Sequence, residues 1–300
     1  MPEPESAAMP DISILVCTRP GSDLLPQCME SLRGVLGEAR GEIVTACDGG
    51  DAALGERCRE VLGPAAGWGW KWLDLERGGP AAARNRALHE CTRELILFLN
   101  DDVRFPPGLL GAHLRAHAAQ PGHAVMGNTR WAPEAVRSEF MHWVAHHDSF
   151  YYLIADAADA GWEYFHTMNL SIHRKWFDAG ARFDESFPEP AFEDTELAYR
   201  LAGEGLRIAL AYDAVLYHVH PFTEEQYVEK VRMRGRAARR LLALHPELTK
   251  RILGDFELPE APAGGAPGRW LRRLLGKDAE AAVPWQRRLA EAFLQGYRSG

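Results

Sequence analysis

The chain has 300 residues, with 34 Lys and Arg against 42 Asp and Glu, a net charge of −8. Hydrophobic content of 46% and charged content of 25% are those of a globular protein, which excludes a largely disordered, collagen-like or coiled-coil chain. No apolar run approaches the ~20 residues of a membrane-spanning helix, and Met1–Pro10 reads as a disordered tail rather than a leader.

The elements follow in chain order. Ile12–Cys17 is a β-rich run without polar interruption, the pattern of a strand buried on both faces. Leu24–Leu36 has helical apolar spacing. Glu42–Cys47 is a second buried strand, broken by Asp48-Gly49-Gly50-Asp51, and Trp70–Leu75 alternates as a third. Gly78-Gly79-Pro80 opens an Ala-rich helix to about His89. Leu95–Leu99 is a fourth strand that runs into Asn100-Asp101-Asp102. Strands alternating with helices predict an α/β fold with a mainly parallel sheet, whose ligands sit at the carboxyl ends of the strands.

The second half is less regular. The spacing predicts helices over Glu134–Tyr152 and Glu193–Glu204, an extended segment over Tyr164–Ile172, and strands over Arg207–Ala211 and Ala214–Val219. Thr223 and Gln226 form a capping box before a basic helix, Pro259–Gly268 reads as a linker, and short basic helices are predicted around Trp270–Leu275 and Trp285–Gln295. Residues 221–300 carry 15 basic against 10 acidic side chains, and residues 1–220 carry 19 against 32. An acidic body argues against nucleic acid as its partner. The basic tail leaves open a peripheral contact with anionic membrane, a homodimer contact, or a solvated helix face. Five cysteines without a C-x-x-C spacing argue against a disulfide framework or a structural zinc, and fit a reducing cytoplasm.

Several groups can carry chemistry. In Phe98–Val103 (FLNDDV), adjacent carboxylates follow a buried strand, where a divalent cation completed by substrate phosphates, or a sugar hydroxyl, would engage them; the alternative is a solvated acidic turn. Glu193 and Asp194 open a helix, whose dipole keeps a carboxylate ionised and able to accept a proton; simple capping is the alternative. His218 and His220 share one face of a strand, as metal ligands could. Arg84 and Asn85 follow a Gly-rich helix entry suited to a diphosphate. His142 and His146 have the spacing of a zinc pair, but Trp143 replaces the expected Glu and no third ligand is evident.

Taken in order, these segments resemble family-2 glycosyltransferases of the GT-A fold over about residues 11–221. They are ISILVCTRPGSDLLPQCMESL, CDGG, GGPAAARNRAL, FLNDDV, HTMNLSIHRKWF, FDESF, FEDTELAYRL and YHVHP. The resemblance implies a Rossmann-like nucleotide-binding half over 11–103, an acceptor half over 104–221 and a helical extension over 222–300. It implies metal-dependent, inverting transfer from a nucleoside-diphosphate sugar to an acceptor hydroxyl, with Mn²⁺ or Mg²⁺. Asp48 would contact the base, with Cys47 replacing the family's first acid. Arg84 and Asn85 would hold the diphosphate or donor sugar, with Asp101 on the ribose or sugar. Asn100 replaces the first acid of D-x-D, so Asp102 and His218 (or His220) would hold the metal. Asp194 would be the base, and Glu193 would position the acceptor, with Asn169 and Trp162 on the acceptor side. The rival readings are a non-catalytic nucleotide- or glycan-binding module, favoured by Cys47 and Asn100, and a sugar-nucleotide nucleotidyltransferase. The latter expects a Gly-rich loop where Thr18-Arg19-Pro20-Gly21-Ser22 stands.

Overall fold

The computed structural model describes residues 11–65, 67–147, 154–187, 189–253 and 284–300. The predicted N-terminal tail, the 259–268 linker and the helix around Trp270–Leu275 lie outside them. Among the described residues, no helix is long and apolar enough to cross a membrane. The chain divides into two compact units. The first comprises Met1–Arg130, Ile154–Pro188 and Glu193–His220, and the second Trp131–Leu153, Glu189–Phe192 and Pro221–Gly300.

The first unit is built on β1 (Ile12–Thr18), β2 (Gly41–Asp48), β3 (Trp68–Leu75), β4 (Leu95–Asn100), β5 (Val103–Arg104), β6 (Ala124–Trp131), β7 (Asn169–His173) and β8 (Ile208–His218). They form one sheet in the order β3-β2-β1-β4-β7-β6-β8-β5. β3, β2, β1 and β4 run parallel, while β7 is antiparallel to both β4 and β6. The sheet is therefore mixed, with a parallel half. Ile12, Ile14, Val16, Ile43, Leu95 and Leu97 are fully buried, as uninterrupted apolar strands require when helices cover the sheet. Helices α1 (Leu25–Arg33), α2 (Ala52–Leu62), α3 (Gly79–Glu90) and α4 (Leu109–Ala119) connect these strands. The two strands predicted over 207–219 are one. Asn128 Nδ2 bonds the Tyr212 carbonyl and Arg115 pairs with Asp213, so the polar residues that read as a break lie within a continuous β8.

Beneath β7 lies a buried polar chain. Asn169 Nδ2 donates to the Ala214 carbonyl, and its Oδ1 accepts from His113 Nε2. Ser171 Oγ lies 2.8 Å from both His113 Nδ1 and His117 Nε2. The orientation that satisfies every link keeps both imidazoles neutral with the proton on Nε2. Burial agrees with this: it depresses His113 to about 4 and His117 to about 3. Gly127 is required beside this chain, because a Cβ there would collide with the Asn169 amide and the Ala214 carbonyl.

Helices α5 (Glu139–His147), α8 (Glu224–Leu244) and α10 (Pro284–Ser299) belong to the second unit, while α6 (Lys175–Asp178) and α7 (Glu193–Gly203) belong to the first; α9 (Thr249–Ile252) is a single turn. The helix predicted over 134–152 starts at Glu139, after a short 3₁₀ turn over Pro133–Ala135. The Thr223–Gln226 capping box is present in full, which contributes about 1 kcal/mol to α8. Gly235 of α8 faces the Phe293 carbonyl and Gly296 of α10 faces that of Arg232, so the two backbones touch where any side chain would force them apart. The basic face of α8 is partly neutralised here: Arg236 pairs with Glu189 and Glu229, and Arg232 with Glu229.

Candidate active site

The parallel strands end in the residues singled out above. Asp48 ends β2 and accepts hydrogen bonds from the Gly78 and Gly79 amides, at 2.6 and 3.0 Å. It closes the amino end of α3, where a carboxylate meets free N–H groups and the positive end of the helix dipole. α3 in turn presents Arg84 and Asn85. The Asn85 amide is committed to the protein, donating to the Phe183 carbonyl and Glu185 and accepting from the Phe183 amide. Its place is therefore to hold the segment that carries Phe183, over whose ring the Arg84 guanidinium lies at 5.6 Å.

Asn100 closes β4 opposite Cys17 of β1. Asp101 Oδ2 accepts from the hydroxyls of Thr18 and Ser22, at 2.6 and 3.0 Å. Burial and the adjacent Asp102 raise its carboxyl above the usual range, against the pull of those two hydroxyls. Thr18 and Ser22 were not among the expected site residues; a Ser/Thr-containing loop after the first strand is their only sequence signal. Asp102 lies beside β8, because β5 pairs Val103 with His218 and the Val219 amide bonds the Asp102 carbonyl. This brings Asp102 Oδ2 to 3.1 Å from His218 Nε2, with His218 almost wholly buried. His220 stands beyond the end of β8.

A second group forms where α3 meets α7. Arg84 Nη1 lies 2.7 Å from Glu193 Oε1, with side-chain exposures of 11% and 4%. Glu193 Oε2 is buried with no hydrogen-bond partner. Burial pushes the Glu193 carboxyl up, the guanidinium opposes this, and Asp194 adds to it. Phe192, the residue before α7, holds φ at 65°, a left-handed conformation costing a non-glycine residue roughly 1–3 kcal/mol. Asp194 Oδ1 accepts from the Thr195 amide at 2.8 Å; Oδ2 lies 3.4 Å from the Thr167 amide and 3.9 Å from His166 Nδ1. Burial raises the Asp194 carboxyl, but His166, Arg84 and the Thr195 amide outweigh it and hold it below the usual range. Sequence reasoning missed His166, whose partner is 28 residues away.

The two groups share an electrostatic neighbourhood. The Cys17 thiol, pushed up to about 12 chiefly by burial, feels Arg84, Asp101 and Asp48. Of the expected acceptor-side residues, Asn169 has its amide bound to His113 and Ala214, and Trp162 packs edge-on against Tyr199 at 5.2 Å. Among the described residues, no group of three or more His, Cys, Asp or Glu could hold a metal ion.

A mixed sheet with a parallel half, flanked by helices and carrying an acidic turn at the end of its fourth strand, is the architecture of GT-A glycosyltransferases. The Glycosyl transferase family 2 profile matches residues 13–180, and the chain belongs to that family. No protein of curated function matches the sequence. Among solved structures it is similar to the mannosyltransferase PcManGT from Pyrobaculum calidifontis in complex with GDP-Man and Mn²⁺. The TM-score is 0.60 at 17% identity, covering 98% of this chain and 85% of that one. It is also similar to S. aureus TarS 1–349 in complex with UDP, with TM-score 0.51 at 16% identity, covering 96% of this chain and 89% of that one. The UDP-GlcNAc complex of TarS 1–349 gives TM-score 0.51 at 15% identity, with coverage of 96% and 90%.

Proposed function

We propose that this family-2 glycosyltransferase moves a sugar, with inversion, from a nucleoside-diphosphate sugar to an acceptor hydroxyl. The observation that carries the reading is the buried Arg84–Glu193 pair with the ionised Asp194 beside it. A low-lying carboxyl is deprotonated at neutral pH and can take the proton of an attacking hydroxyl. That oxygen bonds the anomeric carbon as the sugar–phosphate bond breaks and its electron pair leaves with the diphosphate. Arg84, carried on α3, would stabilise the charge gathering there. Glu193, with one oxygen on Arg84 and one unmatched, is suited to accept a hydroxyl of donor or acceptor. Asp48 sets the entry of α3, and with it Arg84, whether or not it also meets the base.

A divalent cation fits Asp102 and His218. Their 3.1 Å separation is a hydrogen-bond distance, and also that of neighbouring ligands around an ion with bonds of ~2.1 Å. One carboxylate and one imidazole leave the remaining positions to phosphate oxygens and water, and the mixed donor set favours Mn²⁺ over Mg²⁺. When bound, the ion would supply Lewis-acid stabilisation of the departing diphosphate. The Mn²⁺ in the similar mannosyltransferase complex supports this.

The test is turnover of α-linked donors, UDP-GlcNAc and GDP-mannose, with Mn²⁺ and with water as the acceptor, followed by proton NMR of the free sugar. The β-anomer is expected to appear first, and to vanish with EDTA. First appearance of the α-anomer would overturn inversion, and release of sugar phosphate with nucleoside triphosphate on addition of pyrophosphate would favour the nucleotidyltransferase.

A further inference from the structure

We propose that His166 is the proton outlet of Asp194: after each transfer its Nδ1 takes the proton that the carboxylate removed from the attacking hydroxyl, and its Nε2 passes one to water. The inference rests on Asp194 being the base.

Asp194 has a disposal problem. Its side chain is 17% exposed and must be returned to the ionised form after every turnover. The groups around it do not carry a proton away. Glu193 holds Arg84 with one oxygen and its other oxygen is buried, so it has no route to solvent. Arg84 holds its protons at any working pH. The Thr195 and Thr167 amides only donate, and the Thr195 hydroxyl, 3.3 Å from Oδ1, does not titrate. The His166 imidazole is different. Its Nδ1 is 3.9 Å from Oδ2 while half of the side chain reaches solvent. That separation is closed by a small rotation or one water, and such contacts are commonly long before substrate binds.

The fold holds His166 there from both sides. The Asn169 backbone N–H donates to the His166 carbonyl at 3.3 Å, making the turn that starts β7. Asn169 is itself anchored in the buried chain with His113 and Ala214. On the other side, the 3₁₀ turn Trp162–Tyr164 docks Trp162 on Tyr199 of α7, the helix that bears Asp194. A buried polar network thus supports the turn that carries His166.

The protons balance. At rest the Nδ1–H faces the carboxylate and helps to keep it ionised. Exchange with solvent supplies the tautomer protonated on Nε2; the acceptor O–H proton, taken by Asp194, then moves to the bare Nδ1, and the Nε2 proton leaves to water, which restores the Nδ1–H form. No other group changes charge.

The test uses the full chain, the donor it turns over, and release of nucleoside diphosphate as readout. His166→Ala is expected to lower kcat about tenfold with KM unchanged, and added imidazole to restore it severalfold. His166→Gln, which fills the space, is expected to be equally slow and not restored. Unchanged kcat in His166→Ala, or a loss that imidazole does not relieve, overturns the outlet. Asp194→Asn separates this from the underlying reading. If it stays inert in imidazole while His166→Ala is normal, the outlet alone fails; if it turns over normally, the base assignment fails.

Discussion

Asp194→Asn is expected to lower sugar transfer by about 10²–10⁴-fold while leaving nucleotide affinity unchanged. The amide keeps the shape, and its oxygen can still accept from the Thr195 N–H, with the NH2 in place of the oxygen that takes the longer Thr167 contact. It cannot accept the hydroxyl proton. The change falls on kcat, because the lost interaction forms only as the hydroxyl ionises. Paired measurements of nucleoside diphosphate release and nucleotide binding check it. Near-normal turnover would assign the base elsewhere, and Glu193, whose carboxyl is already raised, would be the next residue to change.

The Arg84–Glu193 pair predicts a stability effect of comparable weight. Both side chains are nearly inaccessible, so removing one leaves a buried charge without compensation. Glu193→Leu is expected to cost about 3–5 kcal/mol, as is Arg84→Met. The double variant is expected to be more stable than the sum of the two, because the desolvation of both charges disappears together. Chemical denaturation of the four proteins measures this. Additive losses would mean that the contact contributes packing rather than charge pairing.

Much of the parallel half was legible because local pattern and tertiary environment agree there. Ile12–Cys17, Glu42–Cys47 and Leu95–Leu99 are apolar throughout and lie buried between helices. What was hidden depends on partners distant in sequence. β5 has two residues and exists only through its pairing with β8. The polar Tyr212-Asp213 step stays extended because Asn128 and Arg115 satisfy it. Asn85 reads as a ligand from its place in the helix entry, yet its amide is bound to Phe183 and Glu185, about a hundred residues on. His166 opens the HTMNLSIHRKWF segment, but nothing local singles it out, because its contact is with Asp194, 28 residues on. The order of the segments identified the family, while the proposed parts of individual residues rest on these contacts, which no local pattern encodes.

A nucleoside diphosphate is proposed to sit at the end of the parallel strands with a cation on Asp102 and His218. The most direct measurement is the thermal unfolding of the unmodified chain and of Asp102→Ala with UDP, GDP, dTDP or CDP, each with and without Mn²⁺. A ligand at about a hundred times its Kd stabilises the folded state by about 2.7 kcal/mol, ample to detect. One nucleotide is expected to raise Tm only when Mn²⁺ is present, and Asp102→Ala to abolish the shift. No shift with any nucleotide, or a shift indifferent to both Mn²⁺ and Asp102, would contradict it.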